Sequence, residues 1–375
     1  MLKRLYSLFF SDSRSCNIFN YLWLINFIQP LYPMNKIPPG VIVPSSALCL
    51  PKSSFIGYGQ LEKNPEPGDV VFGKVRRIGH HSSLENVSGR IHTIHNGTKA
   101  FFVYGNRYAP DHYEGIIPED NVREVDLLAR SGMIGQVQTK NAMLKDPTRI
   151  RIQGYLLDKD GKAINTRKFP RIKNPASGPK KGKAKLILVV GTAMNSGKSL
   201  AAAACCRSLH QMGYTVNGCK MTGTASLQDI LHMNDSGAKD FADFTYMGHP
   251  SSYMLSQDDL MDIFHTLDGK LGSNQKNFIV VEFADGINQR ETAMLLESPE
   301  VVKRVHKLIF CAADALGAVG GLHILKTKFN LVPDAISGVC SSSPLHVREL
   351  NSFTEAPVFN GADLKLDQMA EILLN

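Results

Sequence analysis

Apolar positions along this chain are arranged in three different ways, and each predicts a different kind of structure. Over residues 1–33, apolar runs are cut by Ser11-Asp12-Ser13-Arg14-Ser15 and by Asn17, Asn20 and Asn26. No run reaches the roughly 18 apolar residues that a membrane-spanning helix needs. No small-x-small site follows Lys3 and Arg4 to complete a signal peptide. Met34-Asn35-Lys36 would make an ordinary translation start, so residues 1–35 are read as an extension, disordered or non-native.

From 36 to 135 the pattern is that of a β-rich domain. Residues 70–75 and 90–95 are short strand candidates, and Asn96-Gly97 stands between the second of these and the apolar run 100–104. Asn-Gly between two such runs predicts a tight hairpin. Gly79, Gly89, Gly105 and Pro110 punctuate at the spacing of a small barrel or sandwich. Residues 136–185 read as a connector, basic from 158.

From 186 the texture changes again. Leu186-Ile187-Leu188-Val189-Val190 is a continuous apolar run, as made by a strand buried on both faces of a parallel sheet. A helix is predicted over 198–212, capped by Gly213, with further strands over 215–220, 277–283, 307–311, 335–339 and 357–360. Alternating strands and helices predict an α/β fold over 186–375, doubly wound on a mostly parallel sheet.

The net charge of +8 invites a polyanion partner, but its distribution argues otherwise. Ten basic residues against two acids between Asp158 and Lys185 account for all of it, and Pro170, Pro175, Pro179, Gly178 and Gly182 lie in the same stretch. That is a solvated linker, and the near-neutral remainder argues against a nucleic-acid partner. Cys16, Cys49, Cys205, Cys206, Cys219, Cys311 and Cys340 form no CxxC pair, which points to reduced thiols and a cytoplasmic setting. Among the histidines at 80, 81, 92, 95 and 112, His92 and His95 fall on opposite faces of a strand. These side chains therefore read as surface or hairpin residues rather than metal ligands.

One segment carries recognisable chemistry. Residues 191–199 read Gly-Thr-Ala-Met-Asn-Ser-Gly-Lys-Ser, matching G-x-x-x-x-G-K-[ST] between an apolar strand and an alanine-rich helix. Gly191 and Gly197 permit the tight turn whose backbone N–H groups, with those of Thr192, Asn195, Ser196 and Leu200, face phosphate oxygens at a helix N-terminus. Lys198 is expected on the β/γ-phosphates and Ser199 on Mg²⁺. Downstream, an apolar strand ends in Glu282, with Asp285 in the loop beyond, where such enzymes place a Mg²⁺ carboxylate. Arg290 is a candidate for a transferring phosphoryl group. Lys220, at the end of the strand after the P-loop helix, faces the same crevice, with Gly223 allowing close backbone approach.

On these residues the 186–375 region resembles the dethiobiotin-synthetase-like branch of P-loop proteins, which includes cobyrinate amidases and the molybdopterin-guanine-dinucleotide accessory protein. It resembles more closely an uncharacterised bacterial family sharing the loop at 191–199, a K-x-T-G-T strand end at 220–224, an A-D-G-x-x-Q-R-E-T segment at 284–292 and an S-G-V-x-x-x-S-P-L segment at 337–345. The resemblance implies that Lys220 and Glu282 flank Mg-ATP and a small-molecule substrate, and that the chain is a homodimer. Some relatives look like D-glutamate N-acetyltransferases, which implies coenzyme A as another occupant of the loop. The expected function is Mg²⁺-dependent activation of a small carboxylate or amine by phosphoryl transfer from ATP. An acyl-CoA-dependent N-acyltransferase and a regulatory NTPase whose β domain binds a partner are the alternatives. No Asn-Lys-x-Asp guanine-reading motif is present.

Removal of residues 1–33 is expected to change neither solubility nor nucleotide binding. A truncated chain that aggregates on size-exclusion chromatography would show instead that this segment packs on the core.

Overall fold

The computed structural model describes residues 34–173 and 183–375. The extension 1–33 and basic positions Lys180 and Lys181 lie outside the described residues. The N-terminal strands are β1 (Gly57–Gly59), β2 (Val70–Arg77), β3 (Ser83–Glu85), β4 (Ile91–Thr93), β5 (Lys99–Tyr104), β6 (Arg107–Tyr108), β7 (Tyr113–Ile116), β8 (Glu124–Leu127), β9 (Met133–Lys140) and β10 (Arg149–Leu157). Strand β2 pairs with β5, β5 with β9, β9 with β8, β8 with β10, and β10 returns to β2, so five strands close a ring. Closure removes the exposed edges that an open sheet would leave.

Side-chain alternation decides what enters the ring. Val71, Phe102, Tyr104, Val125, Ile134 and Ile150 form one buried cluster. Val70, Phe72, Phe101 and Val103 point the other way, against Ala47, Cys49 and Leu50.

Two expectations need correction here. Strand β10 lies wholly inside the stretch read as a connector, because Ile150 and Ile152 alternate with arginines that mask the pattern; Arg149 binds Asp126 at 2.7 Å. The β-rich region therefore passes 135 and runs to about Thr166, whose hydroxyl donates to Gly248 O at 2.6 Å. The Asn96-Gly97 turn also joins no hairpin. Strand β4 pairs with β3 and β5 with β2, while Gly97 N–H donates to Val75 O at 2.8 Å.

The second region holds β11 (Lys185–Gly191), α1 (Lys198–Gln211), β12 (Val216–Lys220), α2 (Leu227–Asp235), β13 (Phe241–Asp243), α3 (Gln257–Leu271), β14 (Phe278–Glu282), α4 (Arg290–Leu296), α5 (Pro299–Arg304), β15 (Val305–Cys311), α6 (Ala315–Phe329), β16 (Ala335–Ser337), α7 (Pro344–Leu350) and α8 (Leu366–Leu374). Its sheet has the order β13-β12-β14-β11-β15-β16, with every pair parallel. The unbroken apolar run of β11 serves both faces. Leu186, Leu188 and Val190 join Phe264, Phe310 and Leu325 on one side, and Ile187 and Val189 join Ala201, Cys205 and Leu209 of α1 on the other. Small residues along α1 let it lie close to the sheet. Residues 357–360 contribute one bridge, Ile336 to Val358, rather than a strand. Among the described residues, no helix is long and apolar enough to cross a membrane.

The two regions are joined by a buried carboxylate. Glu85, 1% exposed, accepts from the backbone N–H groups of Leu227 (2.9 Å) and Gln228 (3.2 Å) at the start of α2, and from Ser45 Oγ. An acid at a helix N-terminus satisfies orphan donors and the helix dipole together. Glu85→Ala is expected to cost about 2–3 kcal/mol, the scale of hydrogen bonds to a charged group. Urea unfolding of the full chain checks it.

Candidate functional site

The phosphate loop leaves the central strand β11 and turns into α1. Two of its glycines have no substitute. A Cβ on Gly191 would overlap Ser196 Oγ and stand 2.8 Å from Cys311 O. Gly197 has φ +95°, and a Cβ there would stand 2.7 Å from Gly338 Cα. Asn195 also adopts a left-handed backbone, φ 61°, and its Nδ2 donates to Asp111 Oδ2 of the barrel at 2.6 Å. Ser196 is buried, and its carbonyl accepts from Val339 N at 3.1 Å. Thr192 N donates to Cys311 O, and Leu200 is 41% exposed.

Lys198, 5% exposed, folds back over this loop. Its Nζ donates to Ala193 O at 2.7 Å and Ser196 Oγ at 3.4 Å. Burial lowers its pKa, while the Glu282 carboxylate opposes that shift. Ser199 Oγ donates to Glu282 Oε1 at 3.1 Å. Glu282 Oε2 is buried with no hydrogen-bond partner among the described residues. Burial raises the Glu282 pKa, and Lys220 is the strongest influence holding it down.

Lys220 is buried and forms an ion pair with Asp229 of α2. Desolvation alone would lower its pKa, but Asp229 and Glu282 together raise it, so it carries its charge at neutral pH. Asp285 has φ 59°; burial raises its pKa, against the pull of Lys220, Lys198 and Arg107. Lys198, Lys220, Ser199, Glu282 and Asp285 line one cavity of about 710 Å³. Arg290 does not reach it: its guanidinium donates to Leu255 O at 3.1 Å and pairs with Glu291, and it is half exposed.

The opposite wall belongs to the barrel and was not foreseen. His80, His81 and His112 stand together there with Arg107, while His92 and His95 lie elsewhere on and after β4. Three of the five are thus half-buried loop residues that line the cavity. Alternation along one strand carries no information on residues 80, 81 and 112, which the fold assembles from separate loops. Burial and Arg107 push His81 down to about 3 and His112 to about 4, and lower His80. Asp229 had no signal in sequence beyond its place in the helix after the Lys220 loop.

No protein-family model matches the chain, and no curated protein matches it in sequence. Among solved structures, it is similar to the signal recognition particle receptor FtsY from Elizabethkingia anophelis, in complex with GDP. That similarity has 11% identity and a TM-score of 0.33, and covers 54% of this chain and 68% of that one. The strand order, the loop at 191–199 and its position at the carboxyl end of the central strand define a P-loop NTPase-like α/β domain with a separate β-rich region.

Gly338 (φ +97°) packs on the loop, and a Cβ there would overlap Ser196 O. Gly338→Ala is expected to cost about 1–3 kcal/mol, the scale of a strained backbone position, and to weaken phosphate binding as the loop shifts. Thermal unfolding and phosphate titration check both effects.

Proposed function

We propose that this chain is a Mg²⁺-dependent ATP-binding enzyme that activates a small carboxylate or amine by phosphoryl transfer. The observation that carries this reading is Glu282: one oxygen holds the Ser199 hydroxyl, and the other is buried without a partner, between Lys198 and Lys220. A buried carboxylate oxygen with no donor among the described residues is costly unless a cation or an ordered water meets it. Beside a hydroxyl, it fits the hard oxygen donors that Mg²⁺ prefers. Ser199 and Glu282 would hold Mg²⁺, with Asp285 nearby, and the ion would neutralise charge on the β- and γ-phosphates.

The remaining work falls to the chain's own residues. Amides of the loop between Ala193 and Leu200 cradle the phosphates at the N-terminus of α1, whereas that of Thr192 is taken by Cys311 O. Lys198 leaves the Ala193 carbonyl for a phosphate oxygen. Lys220 stays charged because Asp229 anchors it, and so stabilises charge that develops during transfer. The barrel wall, with Arg107 and three imidazoles, would face the acceptor.

Calorimetry with ATP, with and without Mg²⁺, is the test. Lys198→Ala is expected to weaken ATP about 10- to 100-fold, equivalent to the ~1.5–3 kcal/mol of a charge-assisted bond. Glu282→Gln should remove the gain from Mg²⁺ while sparing Mg²⁺-free binding. Lys220→Met should lower kcat about 100-fold or more with little change in ATP affinity. It should also cost about 3 kcal/mol of stability, because it strands buried carboxylates. Unchanged ATP affinity in Lys198→Ala would remove the phosphate-site assignment. Product formed with acetyl-coenzyme A and not with ATP would replace phosphoryl transfer by acyl transfer.

A further inference from the structure

One ring nitrogen from each of His80, His81 and His112 lies within 4.8 Å of the other two. His80 Nε2 and His112 Nδ1 are 3.0 Å apart. Two nitrogens on one tetrahedral ion, each at about 2.0–2.1 Å, stand about 3.3 Å apart, so this pair is already near chelate spacing. The third imidazole is oriented from behind. His81 Nε2 lies 3.0 Å from Leu128 O and 3.1 Å from Arg107 Nη1; in the tautomer that donates Nε2–H to the carbonyl, Nδ1 keeps its lone pair for a cation. A backbone acceptor behind the ring is the usual arrangement for a metal-bound histidine.

Arg107 also donates to Leu128 O, the carbonyl that His81 approaches. Its charge opposes a cation, but Asp285 acts on Arg107 and Asp111 on His112 with offsetting negative charge. From this geometry we infer that His80, His81 and His112 form a binding site for a divalent transition metal of the zinc class, distinct from the Mg²⁺ position at Ser199 and Glu282. Imidazole donors suit zinc, copper or nickel, whereas Mg²⁺ takes oxygen. Three protein ligands leave a coordination position open. All three histidines line the cavity shared with Lys198 and Lys220, so that position faces a water or an oxygen of a bound molecule. The inference does not depend on phosphoryl transfer.

The test uses the full chain, purified without a polyhistidine tag, stripped with chelator and titrated with Co²⁺ and then Zn²⁺ in the absence of nucleotide. The expected result is one Co²⁺ per chain, with the visible bands of a low-symmetry nitrogen site, displaced by Zn²⁺. Removing even an outer partner of a metal ligand costs about 10- to 100-fold in affinity, so His112→Ala or His80→Ala should weaken binding at least about 100-fold. Glu282→Gln should leave the bands intact. Zn²⁺ should raise the melting temperature of the wild type and not of His112→Gln, which serves if the alanine variants misfold. Absence of both stoichiometric metal and visible bands would overturn the site. So would a signal that survives His112→Ala and disappears in Glu282→Gln, since the ion would then occupy the Mg²⁺ position.

Discussion

Glu282 ends its strand with 2% of its surface exposed, and a lone carboxylate at such depth costs several kcal/mol. What makes the position tenable is opposite charge on two sides, from Lys220 on the neighbouring strand β12 and Lys198 at the start of α1. Parallel pairing fixes both relations: Lys220 and Glu282 are direct register partners, and the central strand β11 delivers Lys198 seven residues beyond its end. Lys220 in turn needs Asp229, which ties the first turn of α2 into the cluster. Among the described residues the set is balanced internally except for one carboxylate oxygen, Glu282 Oε2.

The four segments that stand out in sequence prove to be one packed object. The carbonyl of Gly191 accepts from Ile287 N at 2.9 Å, and a Cβ on Gly286 would overlap Thr192 O. Thr222 Oγ1 accepts from Ala284 N, Thr292 Oγ1 donates to Ala284 O, and Gln289 caps Thr292. Gly338 closes on Ser196 from the far side. Residues 284–292 therefore hold Asp285 against the phosphate loop through a backbone-tight contact. Arg290 and Glu291 in that segment pair with each other, so these two charges serve the segment's shape, while Asp285 alone of its charged residues lines the cavity.

How much of this could be read in advance follows from the range of the interactions. Strand β11, the loop and α1 are specified by contiguous residues, and their periodicity and motif state them openly. Strand β13 has three residues and no distinct pattern, and β10 hides its apolar alternation between arginines. The Asn96-Gly97 turn is locally correct, but its partner is set by ring closure, which no pair of adjacent runs encodes. Asp229 and the group His80, His81, His112 and Arg107 meet only through tertiary structure. Their spacing in sequence has no chemical meaning until the barrel places them together.

The barrel and the P-loop domain each supply one wall of the same cavity, so neither forms the site alone. Their contact includes the phosphate loop itself, through Asn195 and Asp111, and the start of α2, through Glu85. Tyr253 adds a bond to Glu114 at 2.7 Å on the same seam. A molecule that touches both walls stabilises the docked arrangement by the free energy that docking contributes to its binding, because linkage is reciprocal. A ligand held only by the loop has no such leverage. Recognition across the seam is therefore where this fold can distinguish a molecule that spans both walls from one held by the loop by itself.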